Sequence, residues 1–109
     1  MTVDALSKTE GFKAIVLPSP EREIHGAYAG DLLSWVMGNA QPGNLWITIM
    51  SNINTVAVAT LVDVSCILLC EDVKPDEDML STAKAKEVNI LSTSLSAYEA
   101  AAAVSKLIN

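Results

Sequence analysis

From residue 44 to residue 108 the chain alternates three apolar strand-like runs with three helix-like runs, and few architectures accept that order. The strand runs are NLWITIM (44–50), SCILLC (65–70) and VNILS (88–92). Between and after them lie NTVAVATLVD (54–63), an acidic run led by Pro75, and an alanine-rich terminal run. Adjacent parallel strands need a crossover of about a dozen residues, usually a helix. The pattern therefore predicts an α/β fold with a mainly parallel sheet and flanking helices. FKAIVL (12–17) and REIHGAY (22–28) supply two further strand candidates, making about five strands.

The boundaries carry their own signals. Thr2 and Gly11 bracket a short N-terminal helix over residues 2–10. Asp31 is placed to cap LLSWVMGNA, which ends at the NAQPG turn. Pro75 is expected in the first turn of the next helix, with Asp76, Glu77 and Asp78 beside it and Lys84 and Lys86 near its end. That distribution complements the helix dipole at both ends. Ser96 and Glu99 have capping-box spacing, opening a helix whose apolar stripe is Ala97, Ala100, Ala101, Val104, Leu107 and Ile108. Ala102 and Ala103 would let a second surface approach closely. The run 54–63 is apolar nearly all round, which predicts a helix covered on more than one side by another helix or another subunit.

Length and composition narrow the function classes. A chain of 109 residues is expected to form one domain, residues 1–109. Half of its residues are hydrophobic and 18% are charged, which excludes a disordered chain. The net charge is −6 and the seven basic residues are scattered, so nothing tracks a phosphate backbone and nucleic acid is not an expected partner. The apolar region 53–70 is interrupted by Asn54 and Asp63, so no membrane span is expected. With residues 2–10 already helical there is no leader pattern, and a cytoplasmic location is the expectation. Cys66 and Cys70 lie four residues apart on a strand, roughly 13 Å, too far to bridge. They read as reduced, half-buried thiols.

No catalytic set emerges. The single histidine, His25, has no G-x-S-x-G elbow or helix-opening cysteine to work with. The acidic residues after Cys70 do not converge on one ion, because consecutive helical residues point roughly 100° apart. Only Glu71 and Asp72, at a strand tip, could contribute to a metal site, and no metal or other cofactor is expected. Neither a P-loop nor a dinucleotide fingerprint is present. What remains is position: in open α/β sheets ligands settle beyond the carboxyl ends of the strands. The candidate ligand-binding residues are Ser51, Asn52 and Asn54 after one strand, and Ser92, Thr93 and Ser94 after another. Both groups also suit helix capping, with Asn52 or Asn54 the natural cap.

The stretch ILLCEDVKPDEDMLSTAKAKEVNILSTSLSAYEAA (67–101) runs strand, Pro-led acidic helix, strand ending in Leu-Ser-Thr, terminal helix. In that order it resembles the DRTGG domain family. EIHGAYAGDLLSWVMGNAQPGNLWITIMSNINTVAVAT (23–60) is similar to small stand-alone DRTGG-like proteins, and the resemblance covers about residues 12–107. It implies a fold like the N-terminal domain of HPr kinase/phosphorylase, and a regulatory or assembly role like that of DRTGG modules in CBS-containing pyrophosphatases. The chain has Ser51–Asn52–Ile53 where the family has Gly-Asp-Arg, and Cys70–Glu71–Asp72 where it has Thr-Gly-Gly. The expectation is a non-catalytic regulatory or protein-interaction module, a homodimer with a protein partner. The alternative is a sensor that binds a nucleotide or phosphorylated metabolite at the strand tips.

Overall fold

The computed structural model describes residues 1–108. In chain order the elements are α1 (Val3–Ser7), β1 (Lys13–Val16), β2 (Ala27–Ala29), α2 (Leu33–Asn39), β3 (Leu45–Thr48), α3 (Ile53–Val62), β4 (Cys66–Leu69), α4 (Glu77–Ala85), β5 (Ile90–Ser92) and α5 (Ala97–Ile108). They form one five-stranded sheet in the order β1-β5-β4-β3-β2. β2, β3, β4 and β5 are mutually parallel, and β1 joins β5 antiparallel, so the sheet is mixed.

The chain steps across the sheet one strand at a time from β2 to β5, and each step is made by a helix. Crossovers of one hand then place α2, α3 and α4 on the same face. Side-chain alternation along the strands divides the core accordingly. Trp46, Ile67, Leu69 and Ile90 face Val36 of α2, Val56 and Ala59 of α3, and Met79 and Ala83 of α4. Leu45, Ile47, Cys66, Leu68 and Leu91 face Val3 and Leu6 of α1 and Ala100 and Val104 of α5. Both faces are covered, so β3 and β4 are buried at every position and read as continuous apolar runs.

α3 is flanked by α2 and α4, which explains most of its apolar circumference, yet Leu61 stays 72% exposed. The α5 stripe is narrower than its sequence suggests: Ala100 and Val104 are buried, while Ala97 and Leu107 are exposed. Three other boundaries differ from expectation. Residues 22–25 form no strand beyond a single bridge between Glu23 and Thr2, and β2 begins only at Ala27. Pro75 precedes the cap of α4 instead of entering its first turn, because Asp76 is the capping residue and accepts from the Met79 N–H at 2.8 Å. The cap position of α2 is Leu32, without a side-chain hydrogen bond. Asp31 has other work.

Candidate functional site

The carboxyl ends of the parallel strands meet at one edge of the molecule, where each strand hands over to a turn. After β3, Asn52 caps α3: its side chain accepts from the Asn54 N–H at 2.9 Å, and Thr55 answers by accepting from the Asn52 N–H at 3.4 Å. This is a capping box, so the polar knot at 51–55 is occupied in starting the helix. Asp31, just beyond β2, accepts from the Thr48 hydroxyl at 2.7 Å and from the Ile49 N–H at 3.0 Å. It pins the tips of β2 and β3 together instead of capping α2.

After β4 the backbone turns through two consecutive left-handed residues, Glu71 (φ 57°) and Asp72 (φ 58°). The family resemblance read from the sequence would put two glycines at these positions, the residue type that takes such angles without steric cost. The turn keeps that shape through hydrogen bonds to the chain leaving β5: Glu71 N–H donates to Leu95 O and Asp72 N–H to Thr93 O, both at 3.0 Å. The Thr93 hydroxyl donates to Gly11 O at 2.7 Å and accepts from the Leu95 N–H at 3.2 Å. It thereby holds the α1–β1 turn against the tip of β5. Ser96 and Glu99 then form the capping box of α5.

Two cavities open on either side of the β4 tip. One, of about 240 Å³, lies under the α1–β1 turn and is lined by residues 7–13 together with Asp72 and residues 92–94. The other, of about 230 Å³, lies between the β2–β3 tips and the start of α5, with Asp31, Thr48, Glu71 and Ala97 in its wall. Ser92, Thr93 and Ser94 all line the first cavity. Ser51, Asn52 and Asn54 line neither, and β4 stands between their strand and β5, so the two predicted groups do not share a wall. Sequence reasoning missed Lys8, Lys13 and Asp31. The α1–β1 turn folds over the sheet edge only in three dimensions, and Asp31 sits where a helix cap is the simpler expectation.

The thiols are more buried than a half-exposed strand position would make them. Cys66 and Cys70 are both buried and free. Burial pushes the Cys66 thiol far above its ordinary range. Burial, with the nearby charges of Glu71 and Asp31, pushes Cys70 up to about 11. Neither is a nucleophile near neutral pH. His25 lies at the opposite end of the sheet, its ring against Gly43. Among the described residues no group of three His, Cys, Asp or Glu side chains is arranged to hold a metal ion, and no helix is long and apolar enough to cross a membrane.

A family model described as the DRTGG domain matches residues 29–107, from the end of β2 to the end of α5. The chain is similar to the crystal structure of the CBS and DRTGG domains of the regulatory region of Clostridium perfringens pyrophosphatase, complexed with its activator, diadenosine tetraphosphate. The match has a TM-score of 0.69 at 15% identity, a likeness of fold, and covers 98% of this chain. This chain spans 45% of the length of that one. No curated protein matches the sequence.

Proposed function

The chain belongs to the DRTGG domain family, and from that membership we propose that residues 1–109 form a single non-catalytic regulatory domain that acts in the cytoplasm and works as a homodimer that engages a protein partner. The observation that carries this reading is the set of large apolar side chains left exposed on and beside α2 and α3. Leu32, Trp35 and Met37 on or beside α2, and Ile53 and Leu61 on α3, are exposed, with Trp35 at 64%. Large aromatic residues on a folded surface are what interface centres are made of. A second copy meeting this face would cover α3 on its remaining side. Sedimentation equilibrium tests it: a dimer is expected, and Trp35→Glu is expected to weaken it at least thirtyfold, about 2 kcal/mol. A strict monomer at high concentration would overturn the dimer.

A second reading is favoured by the cavities at the strand tips. The chain would bind a nucleotide or phosphorylated metabolite at Ser92, Thr93 and Ser94, which line one of them, while Ser51, Asn52 and Asn54 lie outside both. The similar pyrophosphatase region was crystallised with a nucleotide activator, which supports testing that class first. A thermal-shift series with nucleotides and sugar phosphates decides it. A ligand at a hundred times its Kd stabilises by about 2.7 kcal/mol, and no shift at millimolar concentration would count against the reading.

A further inference from the structure

The cavity under the α1–β1 turn differs from an ordinary surface dimple in one respect: its wall holds charges of both signs that do not neutralise one another. Lys8, Lys13, Glu10 and Asp72 all line it. Lys8 pairs outward with Asp4 at 3.0 Å, and among the described residues Lys13, Glu10 and Asp72 form no ion pair. Lys13 stands directly across from Ser92 in the β1–β5 register, on the same side of the sheet. Ser92 is only 4% exposed and lines the cavity. Its neighbour Thr93 has spent its hydroxyl on Gly11 and Leu95. The Ser92 hydroxyl has no such bond among the described residues, and no side-chain oxygen or nitrogen there is sealed from solvent without a partner. That hydroxyl is therefore not sealed from solvent.

We infer that this cavity seats a small zwitterion of the α-amino acid class, its carboxylate on Lys13 and the Ser92 hydroxyl and its ammonium on Asp72. The inference rests on the small-molecule sensor role of the second reading and gives this cavity a different ligand class. Size favours the class: about 240 Å³ is below the roughly 300 Å³ at which pockets for drug-sized ligands begin. Charge favours it too. A polyphosphate brought to this wall would meet Glu10 and Asp72 on a chain of net charge −6, whereas a zwitterion satisfies both signs at once. Only Phe12 is aromatic in the wall, and it is nearly buried, so a nucleobase finds no face to stack on.

The test is an amide chemical-shift titration of the full chain with the twenty α-amino acids singly, and with AMP, ATP and inorganic phosphate as separate arms. At least one amino acid is expected to move the amides of residues 8–13 and 92–94 with a saturable isotherm. Lys13→Met and Asp72→Asn, both at exposed positions, should each weaken that binding at least tenfold, and Asp72→Gly keeps the fold while removing the carboxylate. Saturable binding unchanged in all three variants overturns the inference. Perturbation by AMP, ATP or phosphate but by no amino acid overturns it and leaves the sensor reading standing. Silence in every arm ends both.

Discussion

The two ends of the parallel strands are built to opposite rules. Where β3, β4 and β5 begin, a buried polar residue precedes each strand: Asn44, Ser65 and Asn89. Each ties the sheet to chain crossing beneath it. Asn44 donates to His25 O at 2.7 Å and accepts from the Gln41 N–H. Ser65 donates to Glu23 O and Gly43 O. Asn89 donates to Ser19 O and Ser65 O and accepts from the Ser19 N–H. Arg22 adds an outer clasp to Asp63 and Val64 O. Where the same strands finish, the chain makes short polar caps and two cavities, with the consecutive left-handed pair Glu71 and Asp72 between them. One end consumes its polar groups in closing the fold, and the other leaves hydroxyls and charges facing open space. Both strand-tip cavities lie at that second end.

Breaking the closed end should cost most. Asn89→Leu removes three hydrogen bonds and leaves the backbone groups of half-buried Ser19 and buried Ser65 without their partner. With about 1–3 kcal/mol for each buried group left unpaired, the expected loss is about 3–4 kcal/mol. It is read as a lower urea midpoint at unchanged slope. Loss below 1 kcal/mol would show that water replaces the amide there and that this end is not sealed.

The thiols give a second measure, because Cys66 sits at the closed end of β4 and Cys70 just past its open end. Cys70 is raised from 9.0 to about 11. Its neutral form is therefore what the fold stabilises. Below pH 9 folded and unfolded chains both keep the proton. From pH 9 towards 11 the unfolded chain gives it up and the folded one does not, so stability falls as pH rises. The slope is about 1.4 kcal/mol per pH unit for each raised thiol. Cys70→Ala should remove about half of the thiol-linked decline across that window, leaving the part that Cys66 contributes. A disulfide-forming aromatic reagent at pH 9 should label Cys70 before Cys66; the reverse order would invert the comparison of the two ends.

Much of the open end was legible from the sequence, and little of the closed one. The β3–α3–β4–α4–β5–α5 order follows from apolar runs whose period changes from two to 3.6. The Ser96–Glu99 box follows from spacing, and spacing narrows the α3 cap to Asn52 or Asn54, because the partners of these caps lie within three residues. Asn44, Ser65 and Asn89 carry no such mark. Each is a single polar residue before a strand, and apart from Gln41, three residues before Asn44, their partners are 19 to 70 residues away in the chain. Asp31 misled for the same reason: its local meaning is a helix cap, and its actual partner, Thr48, is 17 residues on. The cavity wall likewise joins residues 7–13 to 92–94, a contact that no local pattern encodes.

At the open end, Asn52→Ala should remove the α3 cap and cost about 1 kcal/mol. Asn52→Asp, which keeps an acceptor at a helix N-terminus, should cost little or nothing. Urea midpoints of the two variants separate a cap from a ligand contact. If both lose the same stability, the amide nitrogen of Asn52 matters and the knot is more than a helix start.

The smallest expected effect has the opposite sign. Glu71 and Asp72 hold φ values of 57° and 58°, for which a side chain costs about 1–2 kcal/mol relative to glycine. Glycine returns about 0.4–1 kcal/mol of that through the extra freedom of the unfolded chain. Glu71→Gly should therefore stabilise by roughly 0.5–1 kcal/mol. Asp72→Gly should gain less, since aspartate tolerates this region better than glutamate. Both residues are exposed, so little packing is at stake. A gain at Glu71 that exceeds the gain at Asp72 would mean that the turn retains a glycine-shaped backbone at some cost in stability, with carboxylates set at the mouths of both cavities in exchange. A loss at either position would place those carboxylates in the fold's own support, and the open end would then be less free than its hydrogen bonds indicate.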